Sequence, residues 1–131
     1  MGRLRLFALR AALVVFGLFF IFGLYPMMNW WAVESWGWLP RQPEYEQMIM
    51  GIYATLGLFL LLAIKKPQEH RSLLLFTVWS SVVHASIMLA QALSDKSEQA
   101  NLMGDIPALF AVALIIGLLL PNKAQPKNLS T

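Results

Sequence analysis

Four long apolar stretches constrain this chain more than anything else in it: Leu6–Tyr25, Tyr45–Ile64, Ser72–Leu93 and Leu102–Leu120. Each has about the length that an α-helix needs to cross a hydrocarbon layer of roughly 30 Å. Charge then orients them. With a cytoplasmic N-terminus, that side collects Arg3, Arg5, Arg10, Lys65, Lys66, Arg71, Lys123 and Lys127, and the opposite side only Arg41 and Lys96. Acidic residues lean the other way, with Glu34, Glu44, Glu46, Asp95, Glu98 and Asp105 outside and Glu69 inside. This is the asymmetry that the positive-inside rule describes. The sequence therefore predicts an all-α fold, an antiparallel four-helix transmembrane bundle with both termini cytoplasmic. It forms a single membrane domain over residues 1–121, followed by a disordered tail over 122–131. The expected location is a plasma membrane of the bacterial inner-membrane type.

The composition agrees, with 58% hydrophobic and 13% charged residues among 131. Four spans consume about 80 residues at roughly 20 each, which leaves short loops and no second domain. A sequence pI near 9.5 would fit nucleic-acid binding, but the basic residues sit at span ends, where they orient the chain and meet anionic headgroups. Nucleic acid is therefore not an expected partner. The absence of cysteine excludes disulfides, iron–sulfur clusters and thiolate zinc sites. The first span begins like a signal peptide but runs through Phe19, Phe20 and Phe22 to Tyr25 with no small-residue cleavage site after it, so it reads as an uncleaved helix.

Span one is expected to stop at Tyr25-Pro26, an interfacial aromatic followed by a helix breaker. The loop to Glu44 holds Trp30, Trp31, Trp36 and Trp38. Indole rings favour the headgroup layer, so this loop reads as an aromatic belt on the outer interface in preference to a ligand lid, with a short helix around Trp30–Trp36. Span two starts at Glu44-Tyr45-Glu46 and stops at Lys65-Lys66-Pro67. The short connection to Arg71 predicts that spans two and three lie side by side as a hairpin. Ser94–Gly104 reads as an exposed polar loop, and Asp105-Ile106-Pro107 as the start of span four.

Span three concentrates the intramembrane polarity. Thr77, Ser81, His84, Met88 and Gln91 fall within roughly 80° of arc on one helical face. His84 lies near the middle of the span, about 13 Å from its outer end. Polar groups at that depth face a bundle interior or a water-filled cavity. On span two, Tyr53 and Thr55 have a similar depth and are candidate partners for the imidazole. Gln91, Glu46 and Asp105 share a height near the outer mouth and form a second candidate cluster.

His84 admits two roles. One is interhelical glue, worth about 1 kcal/mol or less. The other is a proton relay, a ligand contact or a haem ligand. His70 lies about 21 Å along the same helix, so bis-histidine haem would require a dimer. Gly51 with Thr55, and Ala113 with Gly117, give small-xxx-small spacing for close helix packing or self-association. Methionines such as Met48, Met50 and Met103 read as apolar filler, and no metal site is expected. Zincin, deaminase and phosphate-loop motifs are absent. Ser80 and His84 lack a third orienting group for a hydrolase. Small multidrug exporters carry an acidic residue within the first span, and here that span is apolar.

Glu44–Leu120 resembles small bacterial four-helix membrane proteins grouped as a family of unknown function. The likeness rests on Tyr45-Glu46-Gln47-Met48, Gly51-Ile52-Tyr53-Ala54-Thr55, His70-Arg71-Ser72, Phe76 through His84, and Gly104-Asp105-Ile106-Pro107-Ala108-Leu109. In size and layout the chain also looks like DoxX-type membrane proteins. The resemblance implies no activity. The expectation is a non-enzymatic accessory or structural membrane subunit, in contact with lipid and with a membrane-protein partner or a second copy. The alternative is a small-molecule binder or transporter, with quinone or haem as the ligands to consider.

Overall fold

The computed structural model describes residues 1–38 and 40–123, and every regular element among them is helical. The expected tail lies, from residue 124 onward, outside the described residues. Helix α1 (Arg3–Leu18) runs on through a π-helical turn (Phe19–Gly23), α2 (Leu24–Pro26) and a second π-helical turn (Met27–Trp31). The result is one helical run of 29 residues, Arg3–Trp31. The expected stop at Tyr25-Pro26 does not occur. A proline inside a regular α-helix lacks one N–H and crowds the carbonyl four residues back. The wider π-helical turns on either side of Pro26 let the coil continue past it.

A single turn, α3 (Val33–Trp36), follows. Helix α4 (Pro43–Leu62) starts with proline at its first position and Glu44 and Glu46 in its first turn, which suits the positive end of the helix dipole. A 3₁₀ turn (Pro67–His70) leads into α5 (Arg71–Ser94). The polar stretch expected as an open loop is a 3₁₀ helix, Lys96–Met103, capped by Asp95, whose Oδ1 accepts from the backbone N of Ser97 at 2.9 Å and from its hydroxyl at 2.7 Å. Helix α6 (Asp105–Leu119) then departs at 44°. Gly104 makes the bend close-fitting, because a Cβ there would overlap the Ser35 carbonyl oxygen. This contact ties α3 to the 3₁₀ helix.

Three helical runs, Arg3–Trp31, Pro43–Leu62 and Pro67–Ser94, are long and apolar enough to cross a membrane. A fourth crossing exists if Lys96–Met103 and Asp105–Leu119 form one bent span. Alone, α6 would cover only about 22 Å at 1.5 Å per residue, short of the roughly 30 Å required.

The arginines that signal orientation in the sequence also hold one end of the molecule together. Arg10 donates to the carbonyls of Ile64 (3.0 Å) and Lys65 (2.9 Å), at the end of α4. Arg5 donates to those of Leu118 (3.2 Å) and Leu120 (2.9 Å), at the end of α6. Arg71 donates to Pro121 O at 2.9 Å. Helix C-termini leave carbonyls unpaired and carry partial negative charge, and a guanidinium answers both. The starts of α1 and α5 thus meet the ends of α4 and α6, so these four helices alternate in direction.

Neighbours are chosen by surface shape, and this overturns the side-by-side hairpin. Helix α4 packs chiefly on α1 and its π-helical turn, α5 packs chiefly on α6, and α4 and α5 barely touch. At the first interface Gly57 and Gly17 meet: a Cβ on Gly57 would lie 2.6 Å from Gly17 O. At the second, α5 buries Thr77, Ser81, Ala85, Met88 and Ala92, a mostly small-residue stripe that lets the helices approach. Gly51 and Thr55, expected to pack, face outward; nothing lies within 4 Å of a Cβ on Gly51. Beside the arginine end, Leu9, Leu13, Leu60, Leu74 and Ile116 form a fully buried apolar plug.

Candidate functional site

The other half of the molecule contains a cleft of about 60 Å³. The π-helical region of the first run supplies Phe19, Phe20, Leu24 and Met28; α4 supplies Ile49 and Tyr53; α5 supplies His84 and Met88; and α6 supplies Asp105, Ala108, Leu109 and Val112. Trp36 and Trp38 close the outer side. The Trp36 ring meets Phe19 edge-on at 5.7 Å, and Phe20 lies 5.1 Å from the Tyr53 ring, both normal aromatic pairing distances. π-Helical turns recur at functional sites because they re-aim side chains. Here the turn Phe19–Gly23 places Phe19 and Phe20 on the cleft.

Its polar centre is a pair. The Tyr53 hydroxyl oxygen lies 2.6 Å from His84 Nδ1. With Tyr53 donating, the imidazole holds its own proton on Nε2. The rings are tilted by 31° at 5.9 Å between centroids. The pair bridges α4 and α5 where their backbones hardly meet. The third polar group is Asp105. Its Oδ1 is buried with no hydrogen-bond partner, an uncommon state for a buried acceptor and a costly one.

The remaining residues singled out from sequence are placed elsewhere. Thr77 and Ser81 belong to the packing stripe on α5, and Thr77 Oγ1 donates to Leu73 O at 2.9 Å on its own helix. Thr55 likewise donates to Gly51 O at 2.9 Å and is exposed, so it does not reach His84. The outer cluster of Glu46, Asp105 and Gln91 does not assemble. Gln91 is exposed on a separate open groove with Trp38, Tyr45, Asp95 and Glu98. Glu46, only 1% exposed, pairs with Arg41 at 2.8 Å and accepts from the Trp38 backbone N at 3.1 Å. Arg41 also donates to Asn29 Oδ1 at 2.9 Å. Arg41 thus latches the tryptophan segment to α4. Sequence reasoning placed Arg41 outside without giving it a partner, although its nearness to the start of α4 was a usable signal.

The tryptophans divide by exposure. Trp30 and Trp31 are 67% and 77% exposed, as belt residues are. Trp36 and Trp38 are half-buried over the cleft. Phe19, Phe20 and Met28 were missed as cleft residues because nothing distinguishes them from other apolar positions along the span. Among the described residues, no three His, Cys, Asp or Glu side chains converge as metal ligands would.

Fold and site together define an all-helical, strongly apolar protein with one small, partly polar cleft between its helices. The chain belongs to DUF6632, a family of unknown function, whose pattern matches residues 5–128. No curated protein and no solved structure matches it. Nothing in these comparisons supports the looser likeness to DoxX-type proteins.

Proposed function

We propose that this chain is a four-span integral membrane protein that binds a small amphiphilic molecule in the cleft at its tryptophan end. Both termini are cytoplasmic, in a plasma membrane of the bacterial inner-membrane type, and α6 with the preceding 3₁₀ helix forms the fourth, bent span. The charge asymmetry and the apolar helices support the topology. One observation carries the binding reading: the Tyr53–His84 pair and the unpartnered Asp105 oxygen converge on an otherwise apolar, aromatic-walled cleft. Ligand sites have this composition, an apolar lining with a few placed polar groups.

The apolar plug of Leu9, Leu13, Leu60, Leu74 and Ile116 favours binding over passage, since it fills the interior beside the arginine end, and the buried Thr77 hydroxyl between it and His84 is spent on its own helix. Size bears on the ligands considered. An enclosed cavity of about 150 Å³ accommodates benzene, and this cleft, at about 60 Å³, is a closer match to a small polar head group than to a quinone ring or haem. The accessory-subunit reading has less behind it, because exposed residues such as Phe7, Ile52, Phe76 and Trp79 suit lipid as well as a partner helix. Native mass spectrometry with solvent extraction of gently purified protein tests the proposal. The expected result is a small molecule bound in stoichiometric amount and lost in Tyr53→Phe or His84→Leu. An empty protein with a stoichiometric partner polypeptide would return the accessory reading, and a haem absorbance band would overturn the size argument.

A further inference from the structure

The unpartnered Asp105 oxygen is the most demanding group in the cleft. A buried carboxylate oxygen accepts and cannot donate, so the missing partner is a hydrogen-bond donor. A neutral hydroxyl would satisfy that acceptor yet leave the charge uncompensated, and buried charges are normally paired. Among the described residues no lysine or arginine lines the cleft, and Arg41 is engaged by Glu46 and Asn29. The remaining walls include the rings of Phe19, Phe20, Trp36, Trp38 and Tyr53. Aromatic faces carry partial negative charge and attract cations within about 6 Å of the ring centre. Carboxylate and rings therefore ask for the same thing.

We infer that the occupant of this cleft carries a protonated amine, with the ammonium group on Asp105 among the aromatic rings and its apolar part leaving between the helices. The inference rests on the binding reading above and names the chemical class of its ligand. A volume of about 60 Å³ has room for an ammonium head group. The Tyr53–His84 pair offers the head group a second polar contact beside the carboxylate. The amine can arrive as a lipid from the outer leaflet or as a free solute from water, and chain length separates the two sources.

The experiment uses the full chain in zwitterionic nanodiscs, titrated calorimetrically with n-octylamine, n-octanol and n-butylamine at neutral pH. Octylamine is expected to bind about tenfold or more tighter than octanol, because a hydrogen bond to a charged group is stronger than one between neutral groups. Asp105→Asn, nearly the same shape, is expected to bring the two to within about twofold. Equal binding of amine and alcohol by the wild type, or a preference that survives Asp105→Asn, would overturn the inference and leave the binding reading standing. Binding of neither would overturn both. Tight binding of octylamine alone supports a ligand delivered through lipid, and binding of butylamine as well supports a soluble amine. If Asp105→Asn does not fold, the wild-type ratio of amine to alcohol still decides.

Discussion

The Tyr53–His84 contact permits a sharp energetic test, because one of its partners can be altered by a single atom. Tyr53→Phe removes the hydroxyl and keeps the ring against Phe20 at 5.1 Å, so no cavity forms. What is lost is one hydrogen bond of 2.6 Å, worth about 0.5–1.5 kcal/mol net in folded proteins. Between membrane helices such bonds average about 0.6 and reach about 1.7 kcal/mol. His84 borders the cleft, where water can reach an abandoned Nδ1, which holds the cost of Tyr53→Phe toward the low end. His84→Leu costs more, because it leaves the Tyr53 hydroxyl without its partner and also changes the packing. A double-mutant cycle separates these effects. Reversible unfolding in mixed detergent micelles, followed by tryptophan fluorescence, should give a coupling of about 0.6–1.7 kcal/mol between the two substitutions. The short distance makes the pair the main polar link between α4 and α5, whose backbones provide little else. A coupling below about 0.3 kcal/mol, the usual scatter for independent sites, would show that the two residues are mere neighbours and would remove the polar centre of the proposed site.

Gly57→Ala should destabilise by about 1–3 kcal/mol, since the new methyl meets the backbone oxygen of Gly17. Gly51→Ala, in open space, should be neutral or stabilising by up to about 1 kcal/mol; equal effects in thermal melts would refute the assigned interface. Glu46→Ala breaks the latch with Arg41 and the Trp38 amide, so it should cost about 2–4 kcal/mol and red-shift tryptophan emission as Trp36 and Trp38 loosen. An unshifted spectrum would argue against the latch. Reporter fusions at Trp38 and Lys123 should fall on opposite sides of the membrane, and the same side for both would sink the topology. The backbone N–H of Ser97, then its hydroxyl, hold the Asp95 carboxyl below the usual carboxylate range. With a lowered folded value, the stabilisation is complete above the ordinary value of about 3.9 and fades as pH falls through the folded one. Ser97→Ala, which keeps the backbone N–H, should raise the Asp95 titration seen by carbon NMR, and an unmoved titration would refute the hydroxyl's part.

The sequence by itself determined that the chain is helical and apolar over four stretches, and its charge asymmetry is the ground for the orientation proposed here. Both follow from local composition and length, which do not depend on which helix touches which. It also pointed to His84 and Tyr53, because depth along a helix can be counted. Rotation about each helix axis cannot, and there the tertiary structure decided. Two apolar helices look alike from every side until their shapes are matched. Gly17 against Gly57 drew α4 to α1, and the small stripe of α5 drew it to α6, against the pairing that loop length implied. That arrangement turned Thr77 and Ser81 into packing, sent Thr55 and Gln91 outward, and brought Asp105 to the cleft, apart from the outer cluster in which its depth had grouped it. Pro26 carries the same lesson: the residue reads as a stop, and the two π-helical turns that carry the chain past it arise from backbone hydrogen bonding that no local pattern records.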